Sequence, residues 1–310
     1  MTLAAGVDLG GTKVLAALVD EGGKIVERVT GSTDVEAGTA SVIEALEKLL
    51  KVDAERPVSV GVGVAAYVEH PSGRVVFAPN LEYDMPDVEQ AVAKAFDLPV
   101  AVENDANAAA WAEYVYGAGR GGGDMIMLTV GTGIGGGIVI GGSLYRGARG
   151  FAAEFGHMTL VEGGPMCACG QRGCLEALAS GTAIGRMARE GIGGAPDSIL
   201  SELSGGNPAK ITGALVSEAA HAYDEYAAGI LERAGRALGV GLASLTNSLD
   251  PSLIVIGGGG AAAGDFLLAP ARSELRRRLA DRREPPEVVM GVLANDAGVI
   301  GAAALGRLAT

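Results

Sequence analysis

Two glycine-threonine loops, each placed between two apolar segments, constrain the fold of this chain more than any other feature. The segments VDLGGTKVLAAL (residues 7–18) and LTVGTGIGGGIVI (residues 128–140) align as strand, Gly-Thr loop and strand. A repeated arrangement of this kind predicts that the chain is internally duplicated, with each half contributing one copy of the same unit.

Alternating strand and helix signals predict an α/β fold. Apolar runs separated by turn residues predict a meander of three strands over residues 3–8, 14–20 and 25–30. A helix over residues 39–51 and a buried strand over residues 58–64 follow. The remaining predictions are strands over residues 100–102, 125–130, 138–140 and 253–256, helices over residues 105–116, 183–190 and 297–308, and a helix-rich stretch over about 208–248.

The duplication also predicts the domain organisation. We expect a smaller N-terminal α/β domain over residues 1–110, joined by the C-terminal helix at residues 297–310. A larger C-terminal α/β domain is expected over residues 111–296. No flexible linker marks this border, so its position rests on the repeat alone.

Composition and charge exclude other classes of protein. With 310 residues, of which 48% are hydrophobic, the chain can bury a core large enough for two domains. Its net charge of −13 and its aromatic content of 4% provide neither the basic surface nor the stacking rings that nucleic acids require. We therefore expect no nucleic-acid partner.

Two segments bear on location. The start, MTLAAGVDLGGTK, has no basic segment followed by an apolar stretch and a cleavage site, so a cytoplasmic protein is expected. Residues 125–145 are uncharged and long enough to span a bilayer, but seven glycines in this run would weaken a helix. We favour strand, loop and strand here, without a membrane partner, and a membrane span is the alternative.

Both loops contain residue types suited to phosphate binding. Gly10 and Gly11 would let backbone N–H groups approach a phosphate, and Thr12 and Lys13 add donors. A simple Gly-Gly hairpin turn is the alternative for this loop taken alone. Neither loop matches the GxxxxGK[ST] pattern of P-loop enzymes. The second loop supplies Gly131, Thr132, Gly133, Gly135, Gly136 and Gly137.

A carboxylate and amide cluster follows the strand predicted at residues 100–102. Glu103, Asn104 and Asp105 lie at a strand-to-helix junction, where side chains project from the carboxyl end of a sheet. We predict that Asp105 is a general base, accepting the proton of a hydroxyl that attacks the γ-phosphorus of a nucleotide. Helix capping, for which Asn and Asp are the usual residues, is the alternative.

All three cysteines lie in one short motif, CACGQRGC, that begins ten residues after His157. An odd, clustered set of cysteines is poorly suited to disulfides, whereas one histidine and three thiolates match a closed tetrahedral zinc site that stabilises structure. Buried free thiols are the alternative. The predicted zinc ligands are His157, Cys167, Cys169 and Cys174.

Two glutamates flank the cysteine motif. Glu154 precedes it in the sequence EFGH, and Glu176 follows its last cysteine by two residues. Folding around zinc would place both carboxylates on one rigid surface suited to sugar hydroxyls. If one ring nitrogen of His157 binds zinc, the other is left for a neighbouring acceptor or the sugar. Two solvated surface glutamates are the alternative interpretation.

Taken in order, the motifs VDLGGTK, APNL, ENDANAA, GTGIGGG, EFGH, CACGQRGCLE and IGGGG resemble the ROK family of bacterial sugar kinases and regulators along the whole chain, and its ATP-dependent glucokinases most of all. The resemblance implies an actin-like ATPase (ribonuclease H-like) fold with duplicated domains, a cleft between them and a structural zinc knot. It implies that the two loops hold the phosphates of ATP and that Asp105 is the base. Asp8 matches a carboxylate that lies near Mg²⁺, usually through water.

The resemblance also assigns binding residues. Adenosine would lie near Gly257, Gly258 and Gly259. Sugar hydroxyls would be held by Asn80, Asn104, Asp105, Glu154, His157 and Glu176. Two positions depart from the family pattern: Ala66 replaces a glycine common before the aromatic residue, and Tyr83 replaces a tryptophan. A methyl group at Ala66 could tighten the sugar pocket.

The activity implied is transfer of the ATP γ-phosphate to the 6-hydroxyl of a hexose, with glucose as the first choice and with Mg²⁺ and structural Zn²⁺ as cofactors. N-acetylmannosamine, N-acetylglucosamine, mannose and fructose are alternative substrates. A sugar-responsive transcriptional regulator, an actin-like assembly module and a polyphosphate-dependent kinase are further alternatives. Since family members are commonly dimers or tetramers, a homodimer or homotetramer is expected.

Overall fold

The computed structural model describes residues 2–11, 13–32, 38–51, 56–78, 87–281 and 283–309. Three residues named above, Thr12, Asn80 and Tyr83, lie outside these ranges. The described strands are β1 (Ala4–Leu9), β2 (Lys13–Val19), β3 (Ile25–Ser32), β4 (Val60–Val64), β5 (Tyr67–Glu69), β6 (Arg74–Phe77), β7 (Val100–Asn104), β8 (Met125–Val130), β9 (Ile134–Ile140), β10 (Ser143–Leu144), β11 (Leu253–Gly257) and β12 (Glu287–Met290).

Helices follow or separate these strands along the chain. The described α-helices are α1 (Gly38–Leu50), α2 (Val88–Phe96), α3 (Asp105–Tyr116), α4 (Leu175–Ala179), α5 (Gly181–Gly191), α6 (Leu200–Leu203), α7 (Gly213–His221), α8 (Glu225–Leu249), α9 (Asp265–Arg278) and α10 (Ala297–Arg307). Among the helices of the described ranges, none is long and apolar enough to cross a membrane.

The strands form two five-stranded sheets and one two-stranded hairpin. One sheet has the order β3-β2-β1-β4-β7, the other β10-β9-β8-β11-β12, and β5 pairs with β6. In the first sheet β1, β2 and β3 are antiparallel, whereas β4 runs parallel to β1 and β7 parallel to β4. In the second, β9 and β10 are antiparallel and β11 and β12 parallel. The chain is therefore an α/β protein with two mixed sheets.

The chain divides into two compact units. The first comprises Met1–Ile126, Gly137–Ala153 and Asn295–Thr310, and the second comprises Met127–Gly136 and Glu154–Ala294. The division passes through strands β8 and β9.

In the first unit, α10 lies directly on the strands because glycines face it. A Cβ atom added at Gly61 in β4 would lie 1.7 Å from the carbonyl oxygen of Ala302, and one at Gly6 in β1 would lie 2.1 Å from that of Val299. Atoms cannot approach so closely, so any larger residue here would force the helix away from the sheet. This packing brings the first turn of α10 beside the end of β1.

The second unit is mainly helical around the buried strand β11. Its long helix α8 packs against α9 and α4. Glycines allow the close approach to α9: a Cβ atom at Gly235 would lie 2.4 Å from the carbonyl oxygen of Leu267, and one at Gly239 would lie 2.5 Å from that of Ala271. Small residues in α8 therefore set how closely the helices pack.

Two sequence predictions need correction. The helix-rich stretch at 208–248 contains a break after α7, where Tyr223 has a φ of 66° and Asp224 caps α8 by accepting a hydrogen bond from the Ala227 N–H at 2.8 Å. The strand predicted at 138–140 begins at Ile134, because the glycines after it continue the extended pairing instead of forming a loop. Helices α2 and α9, strand β12 and the β5–β6 hairpin were not predicted.

Candidate active site and metal centre

The first glycine loop (residues 10–13) connects β1 and β2. The two strands pair up to Leu9 and Val14, and the Gly10 N–H donates to the carbonyl oxygen of Lys13 at 3.0 Å. Strand pairing thus fixes both ends of this loop. Its Thr12 lies outside the described residues.

Asp8 lies at the end of β1, just before this loop. Its side chain packs against the first turn of α10, where a Cβ atom added at Gly298 would lie 2.7 Å from the Asp8 Oδ2. Burial raises the pKa of Asp8 to about 6, against which the Lys13 charge lowers it. A nearby Mg²⁺ would favour the ionised form, because a divalent cation is the strongest local charge in such a site.

The second glycine loop (residues 131–137) contains a tight turn followed by β9. The Gly131 N–H donates to the Gly133 carbonyl at 2.9 Å, which closes the turn. Two bonds then tie the turn to the start of α5: the Gly181 N–H donates to the Gly131 carbonyl at 2.8 Å, and the Thr182 Oγ1 donates to the Thr132 carbonyl at 2.7 Å.

Glu176 provides a third tie to this loop. Its Oε2 accepts a hydrogen bond from the Ile134 N–H at 2.9 Å, and its Oε1 lies 3.4 Å from the Cys167 Sγ. A Cβ atom at Gly133 would lie only 2.3 Å from Glu176 Oε2, so a larger residue there would displace this carboxylate. Residues 176–182, which we call the supporting segment, therefore connect the second loop to the cysteine motif.

A cavity of about 720 Å³ opens beside the second loop, entirely within the second unit. Gly131 and Thr132 form one part of its wall and Gly259 and Gly260 another. Of the glycines predicted near adenosine, Gly259 lines the cavity, whereas Gly257 ends β11 and Gly258 packs on Val130. The sequence motifs did not predict the part of the cavity wall that α5 and α7 contribute. It includes Arg189, Thr212, Ser217, Glu218 and His221.

The three cysteines and His157 come together in the second unit. Their candidate ligand atoms all lie within 4.8 Å of one another. The Cys169 and Cys174 Sγ atoms are 3.8 Å apart, as are the Cys167 Sγ and His157 Nδ1. Tetrahedral zinc with bonds of roughly 2.3 Å to sulfur requires ligand separations of about 3.8 Å. The donor set and its spacing therefore fit Zn²⁺.

Zinc binding at this cluster depends on the protonation of the thiols. Burial raises the pKa of Cys167 to about 12, whereas a hydrogen bond from the Gln171 backbone lowers the pKa of Cys169. Because zinc binds thiolates, metal binding at this cluster must release protons.

His157 presents its two ring nitrogens to different partners. Its Nδ1 faces Cys167, while its Nε2 lies 3.9 Å from the Glu154 Oε2. Burial raises the pKa of Glu154, His157 lowers it, and the charge of Glu176 raises it further. Glu154, His157 and Glu176 thus form one polar group beside the cysteines.

Asn104 and Asp105 lie where β7 ends and α3 begins. Asn104 is the N-cap: its Oδ1 accepts a hydrogen bond from the Asn107 N–H at 3.0 Å, and its Nδ2 donates to the Ala66 carbonyl at 3.2 Å. Asp105 is the first helical residue, and its Oδ1 accepts from the Ala106 N–H at 2.8 Å. The capping role therefore falls on Asn104, and the carbonyl of Ala66 helps to orient it.

The predicted site residues are distributed over both units. Those described in the first unit are Asp8, Gly10, Gly11, Lys13, Asn104, Asp105 and Gly137. Those in the second are Gly131, Thr132, Gly133, Gly135, Gly136, Glu154, His157, Cys167, Cys169, Cys174, Glu176, Gly257, Gly258 and Gly259.

Comparison with known proteins identifies relatives across the full length. The ROK family model matches residues 4–308. The chain is 42% identical over 313 residues to a glucokinase of Streptomyces coelicolor (99% of this chain, 98% of the relative) and 41% identical over 309 residues to a glucokinase of Thermotoga maritima (97% and 96%). The crystal structure of a ROK family glucokinase from Streptomyces griseus in complex with glucose and AMPPNP superposes with a TM-score of 0.90 at 40% identity, covering 99% of both chains.

Proposed function

The chain belongs to the ROK family, and from this membership we propose that it is an ATP-dependent hexose kinase that converts glucose to glucose 6-phosphate. The observation that carries this proposal is near-complete alignment, at 40–42% identity, with glucokinases, one of them bound to glucose and AMPPNP. At such identity over 99% of the chain, the reaction type is inherited along with the fold.

We assign Asp105 as the general base. Its position at the start of α3, directly after the N-cap Asn104, sets its carboxylate on a rigid strand-to-helix junction. As the sugar 6-hydroxyl attacks the γ-phosphorus, this carboxylate accepts the hydroxyl proton, and ADP leaves on the opposite side of the phosphorus. Phosphoryl transfer needs little more than positioning and charge stabilisation, so a rigid base suits it.

The nucleotide site is assigned to the two glycine loops and the 720 Å³ cavity. The cavity is large enough for an adenosine group and is continuous with Gly131 and Thr132 of the second loop. Backbone N–H groups of both loops, with Thr12 and Lys13, would bind the phosphates. Asp8 would hold Mg²⁺ through its water ligands, and the metal would neutralise charge on the phosphates.

The sugar site is assigned to Asn80, Asn104, Asp105, Glu154, His157 and Glu176. The support is strongest for the three residues beside the cysteines, because Glu154 lies near both His157 and Glu176. Their carboxylates would accept hydrogen bonds from sugar hydroxyls, and the His157 Nε2–H would donate one, which would fix the hydroxyl that reaches the base.

Zn²⁺ at His157, Cys167, Cys169 and Cys174 would be structural, because four protein ligands leave no open position for water.

We also propose the actin-like duplicated architecture, the domain border near residue 110, a homodimer or homotetramer, and a cytoplasmic location.

The test is a panel of glucose, mannose, fructose, N-acetylglucosamine and N-acetylmannosamine, each with ATP and separately with polyphosphate, measuring kcat/KM. The highest value is expected for glucose with ATP. A higher value for another sugar would keep the kinase and change its substrate. Absence of turnover with every sugar and donor, together with sugar-dependent DNA binding in a gel-shift assay, would replace the kinase with a regulator.

A further inference from the structure

A charge pair lies directly behind the proposed base in the first unit. Glu103 is the second-last residue of β7, the strand that precedes α3, and it is only 6% exposed. Arg146 Nε donates to Glu103 Oε2 at 2.5 Å, and the Arg146 side chain is 22% exposed. A carboxylate buried this deeply is costly unless a cation and hydrogen bonds compensate it.

The second carboxylate oxygen of Glu103 binds the backbone next to the base. Glu103 Oε1 accepts from the Asn104 N–H at 3.0 Å and from the Asn107 Nδ2 at 3.0 Å. One oxygen therefore fixes both the residue before Asp105 and the first turn of α3. Asp105 lies between these two anchored positions in the chain.

The same residues close a network around the helix start. Asn107 donates its backbone N–H to the Asn104 Oδ1, and Asn104 donates its Nδ2 to the Ala66 carbonyl. Every side chain in this chain of bonds, from Arg146 to Asn104, is held by a partner in the same unit. If Glu103 moved, Asn104 would lose a backbone bond and Asn107 a side-chain bond.

His70 interacts electrostatically with both members of the charge pair. Burial and, after it, the positive charge of Arg146 hold the pKa of His70 below its usual value, while Glu103 acts in the opposite direction. The imidazole is therefore neutral at pH 7 and does not replace Arg146 as the cation that balances Glu103.

We propose that Arg146 is a positioning residue for the phosphoryl-transfer reaction, acting through Glu103 to fix the Asn104–Asp105 junction. This role rests on the proposed function, because that function assigns Asp105 as the general base. Arg146 acts on this junction through its bond to Glu103. The bond from the Arg146 Nε orients Glu103, and the orientation of Glu103 sets the backbone on which Asn104 and Asp105 are carried.

The test compares Arg146→Gln with Arg146→Lys and with the matched control Arg149→Gln. Arg149 lies in the same loop but is exposed, with its guanidinium over the Phe151 ring at 5.4 Å. For Arg146→Gln we expect kcat to fall by about 10- to 100-fold and the sugar KM to rise several-fold, since an error of about 1 Å at the reacting groups costs about 100-fold. The ATP KM should stay within about twofold, because the hydrogen bonds described from Arg146 through Glu103 reach neither the glycine loops nor the cavity.

Arg146→Lys should recover part of kcat, since it keeps the charge but not the fork of donors. Arg149→Gln should match the wild type. A merely structural role would lower kcat through loss of active protein while leaving both KM values unchanged. Wild-type kcat and sugar KM in a folded Arg146→Gln variant would overturn the proposal.

Amide hydrogen exchange of the peptide containing residues 103–107 supplies a readout that does not depend on the substrate. Faster exchange in Arg146→Gln, and wild-type exchange in Arg149→Gln, is the expected result. Unchanged exchange in Arg146→Gln would overturn the positioning role even if activity fell. If the wild type phosphorylates no sugar in the panel, the proposed function fails, while the exchange result still decides whether Arg146 holds this junction.

Discussion

The two glycine loops are alike in sequence but are supported in different ways. The first loop joins two paired strands, and strand pairing up to Leu9 and Val14 fixes its ends. The second loop is held by hydrogen bonds from Glu176, Gly181 and Thr182, which follow the cysteine motif in the chain. The same motif can therefore draw its rigidity from a sheet in one place and from a separate segment in another.

The difference predicts different sensitivities. Loss of the proposed metal should disturb the second loop, because the supporting segment begins two residues after Cys174 and its Glu176 contacts Cys167. The first loop should respond instead to the charge of Asp8, which is half-buried beside α10. Substitutions in the two regions can separate these dependences.

The largest effect is expected for Cys169→Ser, which removes a proposed zinc ligand. Three hydrogen bonds from the supporting segment, each worth about 1 kcal/mol, would be lost, which corresponds to a roughly 100-fold fall in affinity for an ATP analogue. Bound zinc measured by metal analysis should fall at the same time. Hydrogen exchange should accelerate at residues 131–134 but not at residues 8–11.

Ala168→Ser is the matched control, since it lies in the same motif, is exposed and is not a ligand. It should keep both zinc and nucleotide affinity. Equal acceleration of exchange at both loops in Cys169→Ser would contradict the separate support of the two loops.

The next effect concerns Asp8→Asn in the first loop region. We expect kcat/KM to fall by about 10- to 100-fold through loss of the carboxylate proposed to bind hydrated Mg²⁺. Nucleotide-free protein should become more stable, because burial raises the pKa of Asp8 from 3.8 to about 6. At about 1.4 kcal/mol per pH unit, removal of this charge is worth up to roughly 3 kcal/mol in the free energy of unfolding.

The destabilisation of the folded protein by the Asp8 charge depends on pH. Because the folded-state pKa of Asp8 lies above its usual 3.8, the folded protein favours the protonated form. The destabilisation is therefore absent below pH 3.8, grows as the pH rises to about 6 and is constant above that value. Denaturant unfolding of Asp8→Asn and the wild type across this range measures it, with the exposed Glu21→Gln as control. A stability difference independent of pH would refute the buried charge.

A smaller effect is expected for Gly133→Ala in the second loop. The new Cβ would lie 2.3 Å from the Glu176 Oε2, so the carboxylate must move and release the Ile134 N–H. We expect the KM values for ATP and for glucose each to rise by about tenfold, since one bond to an ionised group is worth roughly 1.5 kcal/mol. Gly229→Ala, where no atom lies within 4 Å of the added Cβ, controls for a glycine replacement in the same unit. Unchanged KM values would show that Glu176 tolerates the displacement.

The smallest effect is expected for Thr182→Val, which removes the hydroxyl bonded to the Thr132 carbonyl and keeps the side-chain shape. One neutral hydrogen bond of about 1 kcal/mol predicts a three- to sixfold rise in the ATP KM. Thr182→Ser, which retains the hydroxyl, should lie close to the wild type. Equal ATP KM values for Thr182→Val and Thr182→Ser would contradict a role of the Thr182 hydroxyl in supporting the second loop.

Local sequence patterns predicted much of the framework. The strand that contains Asp8 and the helix that begins after Asn104 follow from apolar periodicity and a capping residue. The α/β class and the family membership were confirmed. Roles for individual site residues stay predictions, although the cysteine spacing did anticipate that four metal-ligating side chains would meet.

The rest depended on contacts that no local pattern records. Arg146 meets Glu103 across 43 positions, and Arg189 and His221 reach the cavity wall through the packing of α5 and α7. The break at Tyr223 was missed because helix-forming residues continue on both sides of it, and only the capping by Asp224 shows where α8 begins.

The most direct test of the central claim is Asp105→Asn, assayed for glucose binding by calorimetry and for turnover with ATP. A general base matters in the transition state more than in the ground state, so binding should stay within about tenfold while kcat falls by at least about 100-fold. A folded Asp105→Asn protein that turns over glucose at close to the wild-type rate would contradict the assignment of Asp105 as the base.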